Sequence, residues 1–384
     1  MITQAGVFLK TAGFHNVFDD LRYKYGLDFY GQLLTPTDPR CNARYIAPFD
    51  NGQATWNRSA VWGIAAYMMK ESHPNFSERM QYYWKRAGMP VGMKIGDRSD
   101  YGWMSLGWIN PHLPTSRPEF LSSSYFKQWG AVMRSGVGTD RETFMAMQLG
   151  KPGWYNAEGG FHLHAKGKPL CLVFGIRSWD VGQHNGFPNA TMQRWMANRP
   201  TFDESNEWPS NTGHMREWVS LADADLIAGE WTTNQLARFP KLLPVEGAGR
   251  LVLSSPRKFK EGNNYKPEIR DVDPITWQRR MLFVKDQNPE KPNYFLFRDN
   301  IDTELPSDWN IWCLAESMEL GSNTIEAHFK GKYDVDLDVY SLIPDKNIVT
   351  GAYGPTESVY GFYRQKLYQL QQNSGGNCTS LSSA

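Results

Sequence analysis

The chain has 384 residues, of which 41 are basic and 40 acidic, and this balance excludes the strongly basic surface that captures nucleic acid. No run of about 18 apolar residues occurs, so no membrane-spanning helix is expected, and residues 1–10 lack the pattern of a secretory signal. The absence of any CxxC spacing excludes a zinc ribbon or a dense disulfide scaffold; the four cysteines are Cys41, Cys171, Cys313 and Cys378.

Aromatic residues make up 14% of the chain and include 15 tryptophans, although the mean hydropathy is only −0.55. Sugar rings stack well on indole and phenol planes, so this composition fits a glycan-binding protein. A β-rich core uses aromatic residues as well. Composition alone leaves both explanations open.

Residues 1–90 have the periodicity of α-helices. In Ser59–Lys70 the residues Val61, Ile64, Ala65 and Met68 lie on one stripe at helical spacing, which predicts a helix. A second helix is predicted over Ser77–Ala87, with Ser77 as its N-cap. Ahead of both, Leu34–Gly52 is a long loop rich in Pro, Gly and Asn, and loops of that length are often functional.

After a Gly-, Pro- and Ser-rich linker over residues 91–120, the period changes from helical to alternating. Trp129–Ser135 and Glu142–Leu149 look like paired strands around a glycine turn. Short strands without intervening helices favour an antiparallel sandwich. The window 186–214 breaks this rhythm and is predicted to be an extended loop. Further strands are predicted over residues 160–165, 169–174, 226–232, 280–285, 294–299, 309–315, 324–329 and 335–342.

Five phrases occur in an order that is typical of one family. They are LLTPTDPRCNARYIAP at residues 33–48, GAVMRS at 130–135, GGFHLHAKGKPL at 159–170, ADADLIAGEWT at 222–232, and RRMLFVKDQNPEKPNYFLFRD at 279–299. The third resembles the GSF-x-L-x-A-x-G-x-PL strand pair of the heparinase II/III-like polysaccharide lyases. The last resembles the RRvlFv…pdYfvi-D hairpin of that family.

This resemblance implies an α+β multidomain protein, in which a short α-helical N-terminal region, part of an α/α-toroid, precedes a large antiparallel β-sandwich. The expected boundaries are residues 1–90 for the helices, 91–120 for the linker and 121–384 for the sandwich. The family also implies a secreted or periplasmic enzyme with an acidic polysaccharide as partner, without nucleic acid or a membrane span. A homodimer that covers exposed helix faces is an open alternative.

Lyases of this family cleave uronic-acid-containing polysaccharides, such as alginate, ulvan or glycosaminoglycan-like chains, by β-elimination. The reaction needs a group that neutralises the uronate carboxylate, a base for the C5 proton and an acid for the leaving oxygen. Residues 154–164 and 180–189 contain the densest supply of such groups. The predicted catalytic residues are Tyr155, Asn156, His162, His164 and His184.

Strand alternation predicts that His162 and His164 share one face, as metal ligands or as an acid/base pair. The alternative is a solvent-exposed strand face. Tyr155 and Asn156 stand where the family keeps its catalytic histidine, the alternative being a turn asparagine beside a packing tyrosine.

His184 and Asn185 resemble the HN element of the family, which supplies a metal ligand or a substrate contact; a loop-stabilising role is the alternative. Arg134 and Arg177 are predicted to bind substrate, because a guanidinium matches a carboxylate bidentately, although each is more often an ordinary ion-pair partner. Other candidates for substrate contact are Tyr45 and Trp154 and, on the helical side, His15, Asn16, Tyr30, Arg44, Trp56 and Asn57.

The chain departs from the family at the start of the third phrase. The family has an H-x-H-x-D or H-x-D cluster there, whereas this chain has Trp154–Glu158, with Tyr155 at the histidine position and Glu158 as the acid. The family's metal-binding Asp is replaced within Val173–Gly175. A divalent metal, zinc or calcium, therefore stays an open alternative, and no other cofactor is implied.

Two functions compete on these residues. One is a lyase that acts by β-elimination, and the other is a catalytically degenerate, glycan-binding sandwich of the same family, which the altered cluster favours. A glycoside hydrolase is a weaker third alternative, since it needs two carboxylates about 5–10 Å apart across a cleft. No GxGxxG, GxxxxGK[ST], GxSxG or HExxH motif supports a nucleotide-dependent or other hydrolytic reaction.

Overall fold

The computed structural model divides into two compact units, Met1–Ala47 with Ala54–Ser122, and Pro48–Gln53 with Ser123–Ala384. Within 242–265 and 347–383 only the backbone is described. The structure describes residues 2–39, 44–46, 60–89, 107–119, 121–150, 158–172, 197–203, 205–207, 213–238, 242–245, 250–253, 260–261, 264–265, 268–286, 288, 290–321, 326–341, 347–356, 365–374 and 379–383.

The described part of the first unit is helical. A short 3-10 helix, Val17–Asp19, lies between the first two α-helices. None of the described helices is long and apolar enough to cross a membrane. The α-helices are α1 Ile2–Thr11, α2 Leu21–Gln32, α3 Ala60–Met69 and α4 Pro74–Arg86.

Helix α3 lies within the predicted range Ser59–Lys70 and is buried almost all round, since Trp62 and Met69 are enclosed as fully as Ile64. The predicted start of the second helix is wrong, because α4 begins at Pro74 and not at Ser77. Proline suits a first helical position, and the Ser77 hydroxyl instead donates a 2.6 Å hydrogen bond to the carbonyl of Ala66 on α3.

The second unit is built from strands. They are β1 Ser124–Phe126, β2 Gly130–Ser135, β3 Thr143–Gln148, β4 Phe161–Ala165, β5 Lys168–Cys171, β6 Pro200–Phe202, β7 Asn206–Glu207, β8 His214–Ser220, β9 Ala224–Arg238, β10 Leu242–Val245, β11 Arg250–Leu253, β12 Lys260–Glu261, β13 Asn264–Tyr265, β14 Glu268–Val284, β15 Tyr294–Asp302, β16 Ser307–Leu320, β17 Glu326–Gly331, β18 Leu337–Ser341, β19 Asn347–Thr356, β20 Gln365–Ser374 and β21 Thr379–Ser383.

Of the strands that the structure describes, seventeen form two antiparallel sheets that share β16, while β10 pairs only with β11 and β12 only with β13. In the first sheet the order is β1, β2, β3, β4, β5, β16, β20 and β19, with β6 also beside β16. In the second the order is β8, β9, β14, β15, β21, β18, β17 and β16, with β7 beside β9. Strand β16 changes sheets near Ala315, where its register with β17 is irregular.

The hydrophobic core of the second unit lies between the two sheets. Met145 and Phe161 from the first sheet pack in one cluster with Met281 and Phe297 from the second. The rings of Phe161 and Phe297 are 4.9 Å apart. Alternation along each strand supplies this core, which makes the unit an antiparallel β-sandwich.

The predicted loop over residues 186–214 is partly wrong. Residues 186–196 lie outside the described part of the chain, but β6 and β7 fall within the window, and β8 begins at its end. Each short strand pairs with a longer one, β6 with β16 and β7 with β9. Runs of two or three residues are too short to show a period, so alternation could not reveal them.

Candidate functional site

The first sheet has a second buried face, on the side opposite the core. Along β2, β3 and β4, residues such as Met133, Met145 and Leu163 belong to the core cluster. Arg134, Phe144 and the two histidines of β4 alternate with them and therefore point the other way. They are nevertheless buried. We call this surface the polar face of the first sheet.

His162 and His164 share the polar face, and their Nε2 atoms are 3.1 Å apart. The ring centroids are 5.1 Å apart, and both side chains are 0% exposed, so the alternative of a solvent-exposed strand face is wrong. At this distance one Nε2 donates a proton and the other accepts it. The pair therefore has the geometry to hold or transfer one proton, or to offer two nitrogens to one metal ion.

Arg134 lies on the same face, opposite Phe144 in the neighbouring strand. Its Nη1 donates a 2.5 Å hydrogen bond to Glu142, and its guanidinium lies 4.5 Å from the Phe144 ring centroid. The Phe144 ring in turn meets His164 edge-on at 6.3 Å. Arg134 thus has a carboxylate partner within the chain, as an ordinary ion-pair residue would, and its predicted contact with substrate stays a prediction.

Gln148 is a residue of the polar face that sequence reasoning did not select. It follows Phe144 and Ala146 at alternating positions of β3 and is fully buried. Its Nε2 donates to the carbonyl of Gly150 at 2.7 Å, while its Oε1 has no hydrogen-bond partner within the described part of the structure. The sequence feature that could have pointed to Gln148 is its amide side chain at the end of a strand whose other residues are mostly apolar.

A buried ion pair, also not selected as functional, joins the two ends of the hairpin at residues 279–299. Arg279 and Asp299 are the first and last charged residues of that hairpin and are cross-strand partners on β14 and β15. Nε and Nη2 of Arg279 donate to the two Asp299 oxygens at 2.8 Å each. Asp299 also accepts hydrogen bonds from the indoles of Trp277 and Trp309. If the predicted strands over residues 280–285 and 294–299 had been aligned as a hairpin, Arg279 and Asp299 would have been found opposite each other.

A second buried arginine lies beside the first. Arg199 forms an ion pair with Glu207 and lies 4.6 Å from the Trp277 ring, while Arg279 lies 5.3 Å from it. The pocket next to Arg199, also lined by Glu158, has a cavity volume of about 10 Å³. That volume has room for about one water molecule, so it is too small to be a sugar-binding cavity.

Both arginines hold the backbone where β4 begins. Nη1 of Arg199 donates to the carbonyl of Glu158 at 2.6 Å, and Nη1 of Arg279 donates to the carbonyl of Gly159 at 2.7 Å. Gly159 has φ +75°, and a Cβ there would overlap the ring of Trp277. The entry to the strand that carries His162 and His164 is thereby fixed by two charge-assisted contacts and one close approach.

Several residues predicted to line a cleft are engaged within the first unit. The hydroxyl of Tyr45, which is fully buried, donates to Asp38 at 2.8 Å, and Arg44 donates to the Thr35 carbonyl at 3.1 Å. Asn16 caps the 3-10 helix. Each is tied to a local structural partner, while His15 and Tyr30 are exposed.

Other predicted residues fall outside the described part of the chain, so their roles stay predictions. They are Trp154, Tyr155, Asn156, Arg177, His184 and Asn185, together with Trp56, Asn57 and the replaced metal position at 173–175.

The described residues do not complete a metal site. His162 and His164 offer two nitrogens, but no group of three or more His, Cys, Asp or Glu side chains is arranged to hold a metal ion in the part of the chain that the structure covers. Zinc needs at least three protein ligands in a catalytic site.

Comparisons with known proteins agree with the fold. A scan against family models found no match, and a search of curated proteins found none. Solved structures do match: the heparan sulfate lyase HepC from Pedobacter heparinus has a TM-score of 0.53 and 14% identity, over 91% of this chain and 44% of that one. A heparinase III has a TM-score of 0.58 and 12% identity, over 94% and 47%.

The chain thus has a heparinase-like fold, with a short helical region followed by a β-sandwich, as the sequence phrases predicted. It spans less than half the length of these solved structures. At 12–14% identity the likeness concerns the fold and not the chemistry.

Proposed function

We propose that this protein is a polysaccharide lyase that cleaves a uronic-acid-containing polysaccharide by β-elimination. Alginate, ulvan and glycosaminoglycan-like chains are the candidate substrates, and a secreted or periplasmic location is proposed with them. The observation that carries the proposal is the histidine pair on the polar face, 3.1 Å apart, within a fold like that of heparan sulfate lyases.

In this proposal His162 and His164 act as the acid/base pair. One imidazole accepts the C5 proton of the uronate while its neighbour, protonated at Nε2, delivers a proton towards the leaving oxygen. The short Nε2–Nε2 distance supports such an exchange. Tyr155, Asn156 and His184 are proposed to complete the site.

Neutralisation of the uronate carboxylate is proposed to involve arginine or amide side chains. Arg177 and Asn185 are candidates by resemblance, and Gln148 is a further amide on the polar face. A neutralised carboxylate makes the C5 proton more acidic and stabilises the charge that develops as it leaves.

The complete burial of both histidines favours a second candidate function. A polymer cannot reach a side chain that is 0% exposed unless the structure around it opens. A glycan-binding sandwich without catalysis needs no such opening. The replacement of the family's histidine by Tyr155 favours the same alternative.

The deciding experiment is incubation with a panel of polyuronates while ultraviolet absorbance is followed. β-Elimination creates a conjugated unsaturated uronate, so absorbance should rise on at least one substrate. Retention in affinity electrophoresis without new double bonds would support the glycan-binding alternative. Neither cleavage nor retention on any polymer of the panel would contradict both.

A matched pair of variants tests the role of the histidines. On the substrate that is cleaved, His162→Gln should lower kcat by about 10²- to 10⁴-fold, as expected for a lost acid or base. His214→Gln is the control, because His214 is an exposed histidine on β8 in the other sheet. Unchanged turnover in a correctly folded His162→Gln protein would remove the histidine pair from the mechanism.

A further inference from the structure

Two cysteines meet in the core of the sandwich. Cys171 on β5 and Cys313 on β16 are cross-strand partners, and both are fully buried in the core cluster. In the sequence they are far apart, so no spacing rule relates them. The fold alone brings them together, and both are free thiols in the structure.

The hydrogen bonds of the ladder identify the kind of pair they form. The amide of Leu172 donates to the carbonyl of Trp312 at 3.2 Å, that is, between the residue after Cys171 and the residue before Cys313. In an antiparallel ladder this pattern marks a non-hydrogen-bonded pair, whose Cα atoms are about 4.5 Å apart. Disulfides join Cα atoms at about 4.4–6.8 Å, so the backbone already has a suitable separation.

We propose that Cys171 and Cys313 form a disulfide that cross-links β5 to β16 when the chain folds under oxidising conditions. The bond would fasten a four-residue strand to the long strand that both sheets share. The loop it closes runs from β5 to β16 and includes most of the second sheet. Long closed loops restrict the unfolded chain strongly, so the cross-link should stabilise the fold.

The chemistry needs an oxidant, for which a small disulfide such as oxidised glutathione suffices. The Cys171 thiolate attacks one glutathione sulfur, which breaks the S–S bond, forms a mixed disulfide and releases one glutathione thiolate. The Cys313 thiolate then attacks the Cys171 sulfur and releases the second. Both protein protons go to solvent, the protein loses two electrons, and the glutathione disulfide gains them.

Because the two thiols are buried in the folded protein, the stage of folding determines whether the disulfide can form. Burial, and then the side-chain hydrogen bond with Cys171, raise the pKa of the Cys313 thiol well above its usual value. A protonated, enclosed thiol is a poor nucleophile and is out of reach of an oxidant. The bond should therefore form while the chain folds, and only slowly once β5 and β16 have paired.

The test uses the full chain with Cys41→Ser and Cys378→Ser, so that only the core pair can react. Reduced, unfolded protein is refolded with a mixture of reduced and oxidised glutathione. The mass of the expected product is lower by two hydrogen atoms. Neither cysteine reacts with an alkylating agent, even after the protein is unfolded. Proteolysis yields one linked peptide pair that contains Cys171 and Cys313. Its thermal midpoint should exceed that of the reduced form by on the order of 10 °C.

Two comparisons keep the proposal falsifiable. Native reduced protein is given the same glutathione mixture without prior unfolding, and samples are unfolded only for alkylation. Its two thiols should remain reactive towards the alkylating agent for far longer than those of the refolding sample. A further Cys313→Ser change should leave Cys171 without a partner and abolish the linked peptide. If both thiols of the refolded parent chain still react with the alkylating agent, or if its oxidised form melts below the reduced one, the proposal is overturned.

Discussion

The contacts of single residues explain why the polar groups inside the sandwich are tolerated. Arg279 is 0% exposed, yet each of its guanidinium nitrogens donates to Asp299, Gly159 or Asn198. Desolvation of such a pair costs several kcal/mol, which good geometry offsets only while both partners are present. The pair is thus a weak source of net stability but a strong constraint on the backbone that it holds.

Asp299→Asn should destabilise the sandwich by about 3–5 kcal/mol, because it leaves the Arg279 charge buried without its carboxylate. The free energy of unfolding, measured in urea, gives the result. Asp302→Asn is the matched control, since Asp302 is an exposed residue near the end of the same strand, and it should change stability by less than about 0.5 kcal/mol. Equal effects of the two variants would contradict the assigned role of the pair.

A second prediction at this scale concerns His328 and Asp338, which are partly exposed cross-strand partners on β17 and β18. The 2.6 Å hydrogen bond with Asp338 raises the pKa of His328 above its ordinary value of 6.5. Because the pKa of His328 is higher in the folded than in the unfolded protein, the contact stabilises the fold fully at pH values below the ordinary, unfolded-state pKa. That stabilisation is lost as the pH rises through the higher, folded-state pKa.

Titration of the His328 ring by NMR should therefore show a lower midpoint in Asp338→Asn than in the parent protein. Asp334→Asn is the control, because Asp334 is an exposed residue between the same two strands and is not among the groups that raise the pKa of His328. The effect on stability should be small, since both partners are partly exposed to solvent. A midpoint that Asp338→Asn leaves unmoved would rule out the proposed contact.

At the scale of elements, much of the architecture follows from the sequence. Alternation finds strands β2, β3, β4 and β15 within a residue or two at most ends, because their apolar side chains face one core. Alternation also places His162 and His164 on one face. It cannot tell that this face is enclosed, because a period of two separates the faces of a strand but does not say what covers them.

The start of β4 shows how one element depends on others that are distant in sequence. Gly159→Ala should destabilise the sandwich, because φ +75° is unfavourable with a Cβ and because that Cβ overlaps Trp277. Gly13→Ala, in the helical unit, isolates the cost of the backbone conformation, since Gly13 has φ +76° with open space around it. Measured by urea unfolding of the unit that contains each glycine, we expect a loss of about 1–2 kcal/mol for Gly13→Ala and at least about 1–3 kcal/mol more for Gly159→Ala.

If the two glycine variants lose the same free energy, the close approach of Trp277 contributes nothing and β4 is not fixed from β14. If Gly159→Ala loses more and lyase turnover also falls, the held backbone at residues 158–159 is needed to position the histidine pair. The lyase readout applies only on a polymer that the parent protein cleaves.

On the scale of the whole sandwich, the shared strand β16 couples the unfolding of one sheet to that of the other. Its first half pairs with β20 and its second half with β17, so one continuous strand belongs to both sheets. The apolar faces of both sheets also form a single core cluster. Neither sheet has a complete core of its own, and the sandwich should therefore unfold as one cooperative unit.

Native-state hydrogen exchange over a series of urea concentrations tests this. The amides of Met145 in the first sheet and Met281 in the second should report the same free energy of opening and the same dependence on urea, because both require global unfolding. Asp299→Asn, although it removes a contact of the second sheet, should lower both values by the same amount. A drop confined to Met281 would mean that the sheets open separately and that the shared strand does not couple them.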